Sequence, residues 1–135
     1  MAAVVVNVGG GSGGKQIIAN RLKGTGTEPL NIQWGTGAGT AAVADTSLFS
    51  TATTTEARTA GTSSIVTTTQ TSDSYQVVGT ITAAGARTIT EVALWDAIGS
   101  GSPPTGGNFF LHADHGSTTL ASTETITYTI KVQFT

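Results

Sequence analysis

Strict alternation in TITYTIKVQFT, residues 125 to 135, constrains this chain more than any other feature. Ile126, Tyr128, Ile130, Val132 and Phe134 recur at every second position, with Thr125, Thr127, Thr129, Lys131, Gln133 and Thr135 between them. Successive side chains of an extended backbone point to opposite faces, so one face here is apolar and the other polar. A helix cannot sort a period of two in this way, and the segment is expected to be a core strand ending the fold. Such a strand needs partners of the same kind, and the chain supplies them. In SYQVVGTIT, Tyr75, Val77 and Ile81 fall on one side and Thr80 and Thr82 on the other, while Leu30, Ile32 and Trp34 alternate in LNIQWG. Turn signals at Ser72–Asp73 and Ala84–Gly85, and the long GSGSPPTGGN segment at 99 to 108, separate these runs from ITEVALWDA and NFFLHADHG. Short strands joined by glycine-rich turns predict a mainly β protein, an antiparallel sandwich or barrel.

One segment departs from this pattern. KQIIANRLKG, residues 15 to 24, places Ile18 and Leu22 four apart with Ile17 beside them, basic residues in the last turn and Gly24 as a stop. It predicts one short N-terminal helix. The GGGSGG run before it reads as flexible, so the expected organisation is an arm over 1–14 and a single β-rich domain over 15–135. AAVADTSLFS, residues 41 to 50, reads as a turn or the start of a short helix, anchored by Leu48 and Phe49.

Charged residues form only 10% of the chain against roughly 25% in typical domains, and threonine forms about a fifth. A surface of that kind repels its neighbours weakly and suits a protein packed against others. The net charge of −2 provides no basic field, so nucleic acid is not expected as a direct partner. No cysteine is present for disulfides or thiolate metal sites. The apolar run Ala2 to Val6 is too short to span a membrane and lacks a basic start, so a soluble, unexported product without a membrane partner is expected.

Three motifs bear on chemistry. Gly9, Gly14 and Lys15 satisfy G-x-x-x-x-G-K, but Gln16 stands where a magnesium-binding hydroxyl belongs, and no strand-helix alternation follows to build a parallel sheet. A nucleotide cofactor is therefore not expected. His112, Asp114 and His115 have metal-ligand side chains, yet on a strand His112 and Asp114 share one face and His115 takes the other. They remain weak metal candidates. Glu91 and Asp96 of ITEVALWDA lie on the order of 16 Å apart on one strand, facing opposite ways, which is too far for a paired acid and base. That stretch reads as architecture, with Val92 and Leu94 in the core. No catalytic residue is assigned, and the chain is not expected to be an enzyme. Trp34, Trp95, Phe109 and Phe110 are the large aromatic candidates for a subunit interface.

WGTGAGTAAVADTSL at 34 to 48, SYQVVGTITAAGARTITEVALWDA at 74 to 97, GGNFFLHADHG at 106 to 116 and ETITYTIKVQFT at 124 to 135 resemble small virion proteins of tailed bacteriophages. ITEVALWDA followed by GGNFFLHAD also resembles a segment of tail-collar fibre domains. The resemblance implies a non-enzymatic structural role without cofactors, in which β-rich subunits form trimers or larger rings on the major capsid protein or other virion proteins. Small size and the lack of heptads or shaft repeats favour a capsid decoration, or cement, protein over a tail, neck or collar-fibre component. The expected location is then the virion, on the capsid surface, after synthesis in the bacterial host cytoplasm. A small metal- or nucleotide-binding domain is the remote alternative.

Overall fold

A computed structural model describes residues 7–8, 11–50 and 54–135. The described elements are β1 (Asn7–Val8), α1 (Gly11–Leu22), β2 (Asn31–Gly35), β3 (Thr59–Ala60), β4 (Thr62–Val66), β5 (Ser74–Thr82), β6 (Arg87–Trp95), β7 (Phe109–Leu120) and β8 (Thr125–Gln133). They form two antiparallel sheets, one ordered β1-β7-β6-β2-β3 and the other β4-β5-β8. The sheets face each other without closing into a barrel, so of the two architectures expected it is the sandwich that forms.

The alternating segments build the interior. β5 and β8 pair over their full lengths, from Ser74 with Gln133 to Thr82 with Thr125. That register sets Val77, Ile81, Ile126, Tyr128, Ile130 and Val132 on the inward face, where they meet Ile32, Trp34, Ile89, Val92, Leu94 and Leu111 of the larger sheet. Apolar area removed from water across this seam is the main driving force for closing the sandwich. The chain passes from β3 to β4 at Gly61. A Cβ there would lie 2.5 Å from Val77 Cγ1 and 2.9 Å from Val78 O, so only glycine lets the two sheets approach at this corner.

Several expectations need correction. Helix α1 begins at Gly11, four residues before the expected start, and ends at Leu22. The 1–14 arm is therefore not one separate unit: Asn7–Val8 pairs with β7 and residues 11–14 are helical, while residues 1–6 and 9–10 lie outside the described residues. Gly24, with φ 79°, stops the helix as expected; Thr25 N donates to Asn20 O and Gly24 N to Arg21 O, a Schellman arrangement. The helix buries Ile17, whereas Leu22, four residues from Ile18 in the apolar pattern, is 85% exposed. Phe134 lies past the end of β8 and is 56% exposed, although its N still donates to Asp73 O.

Candidate functional site

β6 carries the main surprise of the molecule. As the middle strand of the larger sheet it turns Val92 and Leu94 into the core, yet Glu91 and Ala93 on the opposite face are buried as well. That second face is covered by a strap, residues 36–50, which crosses β6 and β7 and is anchored by Leu48 against Ala93 and Phe109. Phe49, the other expected anchor, is 40% exposed but lays its ring edge-on to His112, at 4.6 Å between centroids.

Glu91 has no exposed surface and holds the strap down. Its Oε1 accepts from Gly37 N at 2.8 Å and Ser50 N at 2.9 Å, and its Oε2 accepts from Phe49 N at 2.8 Å. A Cβ at Gly37 would collide with Phe49 Cβ and sit 2.6 Å from Glu91 Oε1, so a glycine is required where the strap meets the carboxylate. The remaining contact comes from β7: the His112 Nε2 lies 2.8 Å from Glu91 Oε2, and its Nδ1 lies 2.7 Å from Asp45 Oδ2 on the strap. Asp114 adds an outer tie, accepting from Ala41 N at 2.7 Å.

Both ring nitrogens of His112 face carboxylates, an arrangement best met when both donate. Burial works against a charged ring, but the hydrogen bonds and charges of Glu91 and Asp45 outweigh it and hold the His112 pKa above its ordinary value. Burial likewise opposes ionisation of Glu91, and His112 with the three amides reverses it, so its pKa is lowered. Asp45 is lowered too, its burial offset by the Ala42 amide and by His112. The cluster is thus a clasp of one imidazolium between two carboxylates. It leaves no ring nitrogen free to take a proton from a nucleophile, which a Ser-His-Asp arrangement requires.

The metal candidates are not brought together. His112 and Asp114 share the strap face, as alternation predicts, while His115 turns inward with Nε2 3.3 Å from the Tyr128 hydroxyl. Among the described residues no group of three His, Cys, Asp or Glu could hold a metal ion. Gly14 and Lys15 of the G-x-x-x-x-G-K match lie inside α1 rather than in a loop before it, and Gly9 lies outside the described residues.

The interface candidates also need revision. Trp34, Phe109 and Phe110 are 1%, 4% and 3% exposed: Trp34 and Phe109 are interior, and Phe110 shows only its edge at the floor of a surface groove. Trp34 instead donates from Nε1 to Glu56 Oε2. Trp95 is half-buried, edge-on to Phe109, with the Arg58 guanidinium 3.9 Å above its ring. Arg58 also donates to Ala97 O and Gly106 O, which fixes the 99–108 turn to the sheet. Burial pushes its pKa down to about 10, with Asp96 acting in the opposite sense, so it stays charged at neutral pH.

The accessible apolar surface lies elsewhere. At one mouth of the sandwich, between α1 and the β4–β5 edge, a groove of about 690 Å³ is floored by Ile17, Tyr75 and Phe110 and rimmed by Leu22, Ile65 and Phe134. Sequence reasoning missed this groove because its rim residues occupied expected core positions or went unremarked. It also missed the clasp, although a signal existed: a lone Glu91 and a lone His112, each inside an apolar strand, need a partner once buried, and each could have been assigned to the other. No family model, curated protein or solved structure matches this chain.

Proposed function

We propose that this chain is a structural protein of a bacteriophage virion, a decoration protein that binds the outer surface of the head and stabilises capsomer contacts through the major capsid protein. The observation that carries this reading is the open apolar groove. Leu22 is 85%, Ile65 72% and Phe134 56% exposed around one concavity, and contiguous apolar surface of this kind marks a protein-binding site. A weakly charged, threonine-rich exterior and the resemblance in four segments support the same role. The clasp, with His112 occupied on both sides, fits an architectural part, and the role proposed is non-enzymatic and without a cofactor.

Immunogold electron microscopy of particles carrying this product, with antibody against the purified protein, tests the proposal. Label over the whole head is the expected result, and unlabelled particles would overturn it. Label confined to the tail or neck would instead select a tail, neck or collar-fibre component. That second reading has its own support: the ITEVALWDA and NFFLHAD segments that resemble collar-fibre domains are adjacent paired strands, with Val92 opposite Ala113 and Leu94 opposite Leu111.

A further inference from the structure

Among the described residues the smaller sheet ends on two unpaired edges, β4 and β8, and they differ in how they deter pairing. β8 carries Lys131 and follows Glu124, charges that oppose the approach of another strand. β4, Thr62–Val66, has none of the usual deterrents. Between Arg58 and Asp73 the chain contains no charged residue and no proline, so a second uncharged edge meets no like-charge repulsion and no missing donor. β4 is five residues long, its pairing with β5 is regular from Thr62–Val78 to Val66–Ser74, and no bulge twists it away. The two edge strands of the larger sheet, β1 and β3, have two residues each among those described.

The apolar groove adjoins this same edge. Ile65 sits opposite Tyr75 in the β4–β5 register, and both line the groove together with Leu22 of α1 and Phe134. A strand added beside β4 would therefore satisfy its free backbone groups and place every second side chain over the open mouth of the sandwich. Arg21 and Glu28, of opposite sign, lie at the groove as well, so a copy of the same surface brings both signs to it.

We propose that two copies of this chain associate through antiparallel pairing of β4 with β4 about a two-fold axis near Ser64, joining the two small sheets into one of six strands. The contact is isologous: Ser63 of each copy meets Ile65 of the other, and the exposed Ile65, Leu22 and Phe134 side chains of both copies are covered together. Its chemistry fits a second copy rather than a charged or basic partner, because the surface presented is neutral over β4 and apolar in the groove. The dimer covers the groove that the virion reading gives to a capsid partner, so with β4 paired that reading rests on the weakly charged, threonine-rich exterior and the four resembling segments, and particle labelling tests it separately from the oligomeric state.

Sedimentation equilibrium of the full chain tests it. The wild type is expected to be a dimer. Ser64→Lys, at an exposed position on the face away from the core, puts two ammonium groups opposite each other and is expected to weaken dimerisation at least tenfold. Ile65→Thr is expected to weaken it through lost apolar cover, and Thr127→Lys on the β8 edge is expected to leave it unchanged. Far-UV circular dichroism checks that each variant is folded, and the two β4 variants guard against one failing to fold. A wild type that stays monomeric as its concentration approaches about 1 mM overturns the proposal. So does a three-fold assembly, which a two-fold strand contact cannot close, or a dimer broken by Thr127→Lys and untouched by both β4 variants.

Discussion

The two covered faces of the larger sheet are held by different physics. Its inner face packs apolar side chains against β5 and β8, where Val77, Ile81, Ile126 and Ile130 are each 5% exposed or less. Its outer face is covered by an irregular strap that adds only a small apolar cluster, Leu48 with Ala93 and Phe109, and is fixed by Glu91, His112 and Asp45. The inner seam is non-directional and tolerant of detail. The clasp is directional, and His112 is the shared partner of both carboxylates, so removing one member leaves another without its contact.

Glu91→Ala should have the largest effect, about 3–5 kcal/mol of lost stability, since it leaves a buried imidazolium and three strap amides without their acceptor. Urea unfolding measures the loss. Hydrogen exchange locates it, with Gly37, Phe49 and Ser50 amides losing protection before those of β5 and β8. Equal loss in both regions would show that strap and seam are one cooperative unit. Ile130→Ala should cost about 2–5 kcal/mol by opening a cavity in the seam, and its exchange pattern should be the converse, with protection falling throughout. Gly37→Ala should cost about 1–3 kcal/mol by overpacking the strap against Phe49 and Glu91, and the same exchange experiment should show the damage confined to the strap.

The smallest effect is the one that separates the two regions by pH. The His112 pKa is raised on folding, so its contribution is complete below its unfolded value near 6.5 and is lost as pH rises through the higher folded value. Asp45 and Glu91 are lowered, so theirs is complete above unfolded values near 3.8 and 4.5 and is lost as pH falls through the folded ones. The stability difference between wild type and His112→Gln should therefore be greatest between pH 4.5 and 6.5 and shrink on both sides. Ile130→Ala should show no such window. Urea midpoints across pH check this, and a flat difference for His112→Gln would mean the ring is neutral in the fold.

The inner seam was legible because it is built from local periodicity. Tyr75, Val77 and Ile81, and Ile126 to Val132, announce their face by position alone, and a strand is the only element that sorts a period of two. The clasp was not legible, because Asp45, Glu91 and His112 are distant in sequence and meet only when β6 pairs with β7 and the strap folds over them. Glu91 lies in a stretch that the sequence presents as architecture, while its burial and its three amide partners follow from the strap. Leu22 and Phe134 show the limit of periodicity at element ends: the pattern continues after the neighbouring structure that would bury it has stopped.

By itself the sequence determined a β-rich chain of alternating strands, glycine turns and one short helix, since those depend on interactions between residues close along the chain. The tertiary structure decided which sheet each strand joined, that the sheets form a sandwich, which apolar residues stayed exposed, and that a glutamate, a histidine and an aspartate became a clasp. Those outcomes depend on what covers each face, and burial is a property of the whole fold rather than of any segment.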